Sequence, residues 1–373
     1  MKKGGNFLEY NYYMIWLSNI YNIKRSLIFS LIKYFKTPEN IWNADINDLM
    51  EFKGLRKDTA LKIIKSRDKS NIDNIIYNLD KNNVKFISYY DIKYPKNLKN
   101  IDDPPLGLYL KGNIPNTSFE RISIVGTRNC TEYGKSVAFN IAKELADKNF
   151  VIVSGMARGI DTFAHKGALN SIKGGTIAVL GSGLDICYPP ENNDIMQKII
   201  EKGCIFSEYP LGTKPYSYNF PSRNRIISGL SKAVIVVEAA ENSGTFSTVE
   251  YALDNGRDVF AIPGNITSRY SSGTNKLIKQ GCPAITNIND ILFELGSYYE
   301  EEEEERYISD IPEELSDEEK EVYKNLLFEP VSIDELVYKM QKDLTQLQYI
   351  LFNLEISGYI KKLPSMKYVR KLI

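Results

Sequence analysis

Three short apolar segments, each closed by glycine, follow one another between positions 121 and 183 and constrain the fold more than any other feature. The segments cover residues 122–125, 151–153 and 177–180, and the glycines that close them are Gly126, Gly155, Gly181 and Gly183. Such runs are typical of strands that are buried on both faces of a parallel sheet. After Gly126, apolar residues four positions apart predict a helix at Val137, Ile141 and Leu145. Strand, glycine turn, helix and strand form the βαβ unit.

Further apolar runs extend this sheet downstream. They lie at residues 204–208, 233–238, 259–262 and 284–286, and residues 108–112 predict another strand and turn. We therefore expect an α/β fold with about seven parallel strands, Rossmann-like and doubly wound. In such sheets ligands bind outside the carboxyl ends of the strands, where the glycine turns lie. The functional site is expected at this edge.

The chain has 373 residues, a length that suits two or three domains. The predicted domain boundaries follow from changes in the helical and strand patterns and from the acidic run. Residues 1–75 are predicted to form a small helical domain and residues 76–100 a connecting segment. Residues 101–295 are predicted to form the Rossmann-like domain, and residues 296–312 an acidic linker. Residues 313–373 suggest three helices followed by a hairpin, which is the winged-helix pattern.

Composition bounds the function only loosely. The 47 acidic and 47 basic residues give a net charge of zero, which argues against a nucleic-acid protein until the glutamate run at residues 300–305 is set aside. No apolar run is long enough to span a membrane. The four cysteines show no Cys-x-x-Cys spacing, so they predict reduced thiols in a cytoplasmic protein and no zinc site.

The first glycine turn has the chemistry of an anion site. Gly126 admits close backbone approach, and Thr127 and Arg128 add a hydroxyl and a forked cation ahead of a predicted helix. The alternative is an arginine that merely pairs with a surface carboxylate. The turn is neither a Walker loop nor Gly-x-Gly-x-x-Gly, so no nucleotide cofactor is expected.

The second turn contains Ser154, Gly155 and Arg158 and leads to His165, the only histidine of the chain. A catalytic base is one interpretation of His165. A histidine that packs a helix is favoured, because no carboxylate or nucleophile can be assigned as its partner. We therefore expect no catalytic residue and no metal site.

The third segment combines an aromatic residue with arginines. Phe220 precedes Arg223, Asn224 and Arg225, and this combination suits single-stranded nucleic acid, whose bases stack on rings while guanidinium groups bind phosphates. Phe220 as a core residue is the alternative. A fourth segment, with Ser243 and Gly244, resembles another phosphate-binding helix start.

Both ends of the chain carry accessory candidates. Residues 52–64 resemble a helix-hairpin-helix motif, in which the cations and the hairpin glycine would face DNA: Lys53, Gly54, Arg56 and Lys57. A hairpin that only packs is equally compatible. In the winged-helix region the candidates are Lys361, Lys362, Lys367 and Arg370. Because Glu355 lies on its third helix, protein contact is slightly favoured there.

These motifs, in this order, resemble the DNA-processing protein DprA (Smf) family. The similarity covers residues 100–292, at 123–128, 154–161, 220–230, 243–245 and 262–264. It implies a Rossmann-like homodimer that binds single-stranded DNA without cutting it, protects incoming DNA in natural transformation and loads the RecA recombinase. It maps the DNA pocket to Gly126, Thr127, Arg128, Phe220, Arg223, Asn224 and Arg225. Further DNA contacts are predicted at Ser154, Gly155, Arg158, Ser243, Gly244 and Lys214. Family members often have lysine where Ser217 stands, and Lys214 is a nearby substitute.

A nucleotide phosphoribohydrolase of the lysine-decarboxylase-like group is the rival hypothesis. Those enzymes use a glutamate in Pro-Gly-Gly-x-Gly-Thr-x-x-Glu, and the corresponding position here is Thr248. Glu250 comes two residues later, which on a helix is a rotation of about 200°. It would therefore point away from the site, and the enzyme hypothesis is disfavoured.

Overall fold

The computed structural model describes residues 5–296, 312, 314–326, 330–363 and 366–371. Its helices are α1 (Gly5–Ser18), α2 (Arg25–Phe35), α3 (Pro38–Asn43), α4 (Ile46–Glu51), α5 (Lys57–Lys65), α6 (Lys69–Lys81), α7 (Lys96–Lys99), α8 (Glu132–Asp147), α9 (Ile160–Leu169), α10 (Asn193–Lys202), α11 (Asn219–Leu230), α12 (Thr245–Asp254), α13 (Ser272–Lys279), α14 (Ile288–Glu294), α15 (Asp317–Asn325), α16 (Ile333–Met340) and α17 (Leu344–Ile356). Its strands are β1 (Lys85–Ser88), β2 (Gly107–Gly112), β3 (Arg121–Val125), β4 (Val151–Ser154), β5 (Gly175–Leu180), β6 (Cys204–Ser207), β7 (Ala233–Val236), β8 (Asp258–Ala261), β9 (Val331–Ser332), β10 (Ile360–Leu363) and β11 (Lys367–Arg370).

Eight strands form one mainly parallel sheet in the order β1-β2-β6-β5-β4-β3-β7-β8. Strands β3 to β8 are parallel, and β2 joins β6 in antiparallel pairing. The chain runs outward from β3 to β6 and then returns to β7 on the other side of β3. The doubly wound fold is thus confirmed, and its topological switch point lies between β3 and β7.

The sheet differs from the expected one at both edges. Residues 284–286 make no seventh parallel strand, since only an isolated bridge joins Ala284 to Ala261. At the other edge, β1 lies inside the segment 76–100 that the sequence assigned to a connection, and it pairs antiparallel with β2. Residues of β1 run from exposed to buried. This edge strand therefore lacks the continuous apolar run that marks the central strands.

The side chains of the central strands pack into two hydrophobic cores, one on each face of the sheet. Ile122 and Ile124 of β3 are fully buried with α8 and α9, whereas Val234 and Val236 of β7 are fully buried with α11 and α12. The stripe predicted for α8 is present, and Thr131 caps this helix by accepting from the Gly134 amide at 3.1 Å. In the part of the chain that the structure describes, no helix is long and apolar enough to cross a bilayer.

The N-terminal helices share a core with the sheet. Trp16 of α1, Tyr109 of β2 and Leu180 of β5 belong to one cluster of buried residues. The Asn19 amide also donates to the Tyr109 hydroxyl at 2.9 Å. The expected helical region is therefore present, and it is packed directly on the Rossmann-like layer.

Residues 314–371, where described, form a small winged helix with its own core. Helices α15, α16 and α17 precede the antiparallel hairpin of β10 and β11, and β9 completes a three-stranded sheet. Leu336, Leu351 and Ile360 are fully buried among these elements. The three helices and the hairpin confirm the sequence prediction.

Candidate nucleic-acid interface

An aromatic ring and an arginine meet at the carboxyl edge of the parallel strands. Phe220 is half-buried in the first turn of α11, and the guanidinium carbon of the exposed Arg128 lies 5.4 Å from its ring centroid. The ring of Tyr188 lies 5.6 Å from Phe220 with a tilt of 35°. Gly181 makes room, because a Cβ atom there would come within 3.0 Å of Phe220 Cδ1. Phe220 and Arg128, which the resemblance assigned to one pocket, thus lie side by side.

The backbone beneath Arg128 is fixed by its neighbours. The Thr127 amide donates to the carbonyl of Glu238, which follows β7, at 2.8 Å. Gly159 has a φ of +74°, and a Cβ atom on it would lie 2.3 Å from the Thr127 carbonyl oxygen. Only glycine allows the second turn to approach the first so closely. Arg128 therefore starts from a rigid turn while its side chain stays exposed.

Arg223 is buried beneath this surface and connects the ends of two strands. Its side chain is only 4% exposed, and its Nη1 donates to the carbonyls of Gly155, at 2.6 Å, and Val179. Burial lowers the pKa of Arg223 to about 10, so the side chain is still charged at neutral pH. The expected phosphate contact of Arg223 is corrected here, because the side chain is buried, its Nη1 holds the strand ends together and its Nε donates to Asn224 Oδ1 at 3.1 Å.

The second turn is also bonded internally. The buried Asp161 carboxylate accepts from the amides of Gly155, at 3.1 Å, and Ala157, at 3.3 Å, and burial raises its pKa. The Ser154 hydroxyl is buried and donates to the Ile124 carbonyl at 2.7 Å. The expectation that Ser154 and Gly155 face a ligand is therefore wrong in this structure, since both groups stabilise the turn itself.

Arg225 faces away from Phe220. It follows Arg223 by two residues on α11, a rotation of about 200°. Its Nη2 contacts both carboxylate oxygens of Glu208, at 2.7 and 2.8 Å, and its Nε contacts Asp103 at 3.2 Å. Arg25 of α2 binds the same two carboxylates. Arg225 is only 4% exposed, so its expected role as a phosphate ligand is corrected to that of an internal ion-pair partner.

The remaining polar residues of the third and fourth segments, Asn224 and Ser243, make hydrogen bonds to residues of α12. The Asn224 amide donates to the Ser247 hydroxyl at 2.8 Å and so links α11 to α12. The Ser243 hydroxyl donates to Thr245 Oγ1 at 2.9 Å. Gly244 is exposed, and a side chain there would meet open space. Of this group, Gly244 offers the most accessible backbone.

Two further cations are exposed in these loops. Arg158 binds both carboxylate oxygens of Glu191, and both side chains are about half exposed, at 54% and 53%. A pair this exposed contributes little to stability, so Arg158 can exchange its partner at small cost. Lys214 and Ser217 are both exposed in the segment before α11. Lys214 is therefore accessible to a ligand, as its sequence position suggested.

His165 is a packing residue, as the sequence favoured. It is fully buried, and its Nδ1 lies 2.7 Å from the Thr176 hydroxyl, which itself donates to the Ile152 carbonyl at 2.9 Å. Thr176 must therefore accept, and Nδ1 carries the ring proton. Burial lowers the pKa of His165 to about 3, which keeps the ring neutral.

The residue arrangement required by the hydrolase hypothesis is absent from α12. Thr248 is 2% exposed, whereas Glu250 is exposed. The two positions thus face different environments, in agreement with the helical rotation between them. Among the described residues, no group of three or more His, Cys, Asp or Glu side chains could hold a metal ion.

The accessory candidates lie on two separate surfaces. In the hairpin between α4 and α5, Gly54 has a φ of +97°, and the exposed residues are Lys53, Gly54, Arg56 and Lys57. On the winged helix, Lys361, Lys362 and Lys367 are exposed. Arg370 differs, because its guanidinium lies 4.4 Å from the Tyr323 ring centroid and donates to the Tyr323 carbonyl. The expected DNA contact of Arg370 is corrected to a packing role.

Three exposed tyrosines near Phe220 were not predicted from the sequence. Tyr188, Tyr216 and Tyr218 are exposed by 38%, 46% and 68%. For Tyr216 and Tyr218 the signal was the alternation Tyr-Ser-Tyr directly before Asn219 and Phe220. Tyrosine outside a regular element serves a core and a surface equally well, so the pattern alone did not distinguish them.

Two family models match the chain. The model for DNA recombination-mediator protein A matches residues 85–296, and the DprA winged helix domain matches residues 309–366. The protein Smf of Synechocystis sp. is 33% identical over 396 residues, covering 97% of this chain and 99% of that protein. The DNA processing protein DprA of Bacillus subtilis is 47% identical over 204 residues, covering 54% of this chain and 68% of that protein.

Solved structures give the same result. The X-ray structure of DNA processing protein A from Streptococcus pneumoniae has a TM-score of 0.66 and 34% identity, and the match covers 76% of this chain and 97% of that one. The Helicobacter pylori DNA processing protein A, described for its single-stranded DNA binding mode, has a TM-score of 0.52 and 32% identity. That match covers 58% of this chain and 97% of the other.

The first testable consequence concerns one buried arginine, Arg225, and one exposed arginine, Arg128. Arg225→Ala should lower the free energy of unfolding by about 3 kcal/mol, because it leaves the Glu208 carboxylate buried with Arg25 as its remaining arginine partner. Arg128→Ala is the matched control and should change stability by less than about 0.5 kcal/mol, since Arg128 is exposed. Urea unfolding followed by circular dichroism measures both. Equal stabilities for the two variants would contradict the internal ion-pair network.

The second testable consequence concerns the pH dependence of the free energy of unfolding. The folded pKa of His165, about 3, lies below its ordinary value of 6.5. Below about pH 6.5 the unfolded chain therefore binds a proton that the folded chain does not, and stability falls with pH. At about pH 5 the loss from His165 should be about 2 kcal/mol.

Because His165 is the only histidine, His165→Gln isolates this contribution. The variant should be less stable at neutral pH, yet its free energy of unfolding should change less between about pH 7 and pH 5. Urea unfolding at a series of pH values gives both slopes. An unchanged slope in the variant would show that His165 binds protons equally well in both states.

Proposed function

Since the chain belongs to the DNA recombination-mediator protein A family, we propose that it binds single-stranded DNA at the surface formed by Arg128, Phe220 and Tyr188. The observation that carries this proposal is the Arg128 guanidinium over the Phe220 ring, 5.4 Å from its centroid, at the carboxyl edge of the sheet. A ring that binds a base and a guanidinium that binds a phosphate are the two elements of a single-strand site. The binding mode named for the Helicobacter pylori relative supports the same ligand.

The geometry favours single strands over duplexes. Phe220 is half-buried and sits in the first turn of α11 between Gly181 and Arg128. Only an unstacked base can reach such a ring, whereas the bases of a duplex are stacked on one another. When a base takes the ring face, the exposed Arg128 side chain is released to bind a neighbouring phosphate. Its planar fork suits two phosphate oxygens.

Buried charge supports this exposed surface without touching the ligand. The guanidinium carbon of Arg223 lies 5.9 Å from the Phe220 centroid and is held by strand-end carbonyls. It fixes the ring from below and places a positive charge where an anion approaches. Arg223 is thus proposed as a positioning residue, with Arg128 as the phosphate ligand and Lys214 and Arg158 as flanking cations.

We infer that the protein acts by binding rather than by catalysis, as a cytoplasmic homodimer that protects incoming DNA in transformation. The neutral, buried His165 and the displaced Glu250 offer no acid–base pair for hydrolysis. We also propose that the protein loads the RecA recombinase onto the bound single strand. If this is correct, adding the protein should shorten the lag of RecA assembly on single strands coated with single-strand-binding protein. An unchanged lag would remove RecA loading from the proposal.

The central test is the affinity of Arg128→Ala for a labelled oligonucleotide of deoxythymidine, measured by fluorescence anisotropy. We expect a loss of about 1.5–3 kcal/mol, the range for hydrogen bonds to charged groups. Arg128→Lys should recover only part of it, because lysine lacks the planar fork. Phe220→Ala should weaken binding by about 1–3 kcal/mol through lost base stacking.

Lys173→Ala is the matched control. It also removes one exposed cation, but it lies in the turn before β5, at the amino ends of the parallel strands. Its affinity should equal that of the wild-type protein. Equal binding of blunt duplex and single strand, or equal losses in Arg128→Ala and Lys173→Ala, would contradict the proposed site.

A further inference from the structure

Two exposed tyrosine rings lie stacked on each other directly before α11. The ring planes of Tyr216 and Tyr218 differ by 6°, and their centroids are 5.4 Å apart. The residues are 46% and 68% exposed, so much of their surface remains in contact with water. Rings that remain this exposed contribute little to the core. Their order therefore suggests a ligand rather than a packing role.

We propose that Tyr216 and Tyr218 form a second platform for nucleobases, here named the tyrosine step. It would take bases of the same single strand beyond those bound at Phe220. The inference rests on the proposed function and extends it to a longer stretch of the strand. Tyr218 is two residues and Tyr216 four residues from Phe220, so the step and the ring belong to one continuous segment.

The segment that carries the step is held at both ends. At one end, the Gly183 amide donates to the Thr213 carbonyl at 2.9 Å, and the Gly212 amide donates to the Asp185 carboxylate at 2.9 Å. At the other end, the buried Asn219 side chain donates to the Gly181 carbonyl at 2.9 Å. A platform that is ordered before binding loses little conformational entropy when a ligand arrives.

The chemistry of the step selects nucleobases without selecting sequence. Every base has a flat π-face, and stacking on tyrosine uses that face rather than the hydrogen-bonding edge. The backbone amide of Asn219 donates to the Tyr216 carbonyl at 3.0 Å, which connects the backbone of the tyrosine step to the start of α11. The exposed Lys214 lies two residues before Tyr216 and can bind the phosphate that accompanies a stacked base.

The test compares affinities for deoxythymidine oligonucleotides of increasing length. Tyr216→Ala/Tyr218→Ala should match the wild-type protein on the shortest oligonucleotides that bind, which fill the Phe220 site alone. On longer ones its affinity should be lower by about fivefold or more, the loss of at least one stacked base. Tyr216→Phe/Tyr218→Phe keeps both rings and should restore affinity.

Two controls separate stacking from other effects. Tyr77→Ala removes a ring that is 64% exposed on α6 and should bind like the wild-type protein at every length. The dependence of affinity on salt should be unchanged in the tyrosine variant, because the rings carry no charge. Lys214→Ala should instead make that dependence shallower.

The outcomes distinguish this inference from the proposed function. Wild-type affinity of Tyr216→Ala/Tyr218→Ala at every length, together with weak binding by Phe220→Ala, would overturn the tyrosine step alone. A change of oligomeric state in the tyrosine variant, measured by light scattering, would also overturn it, since the rings would then contact a second copy of the chain. No preference of the wild-type protein for single strands would overturn both proposals.

Discussion

The buried guanidinium of Arg223 determines where the proposed binding surface lies. Arg223 is 4% exposed, and its Nη1 bonds to the carbonyls of Gly155 after β4 and Val179 in β5. A buried charge that loses its partners is very costly, so these contacts permit little movement of the first turn of α11. Phe220 lies three residues earlier in that turn. Its ring is consequently fixed over Gly181, where Arg128 can reach it.

The opposite side of the same helix connects the site to the N-terminal helices. Arg225 and Arg25 share the carboxylates of Glu208 and Asp103, so α2 and α11 are joined by charge as well as by their common support on the sheet. Glu208 follows β6 directly, the last strand before the chain returns past the switch point. The N-terminal helices are therefore a structural support of the site helix, whether or not their hairpin also contacts DNA.

The sequence was sufficient to predict the strands that are buried on both faces of the sheet. It was not sufficient to predict the roles of side chains whose partners lie far away in the chain. Central strands must be apolar throughout, which is why β3, β4, β5 and β7 were recognisable, whereas the half-exposed β1 was not. The turns with Arg128 and Phe220 were found because they follow strand ends or begin helices. The separate roles of Arg223 and Arg225 were missed. Their helical rotation of about 200° indicated that only one could face the site, but the choice depends on Glu208 and Asp103. Tyr216 and Tyr218 were missed because nothing in a loop sequence reports ring exposure.

In the proposed function the arginines divide into supporting and binding roles, which reconciles a net charge of zero with a nucleic-acid site. Arg223 and Arg225 are used inside the fold, whereas Arg128, Lys214 and the loosely paired Arg158 remain exposed in the loops named in the proposal. Each phosphate contact adds about 0.7 to the salt dependence of single-strand affinity. Three such contacts at the proposed site would give a modest dependence, and stacking on rings, which is insensitive to salt, would then supply much of the binding free energy. At the proposed site, exposed aromatic rings are therefore a stronger indicator of the ligand than basic charge.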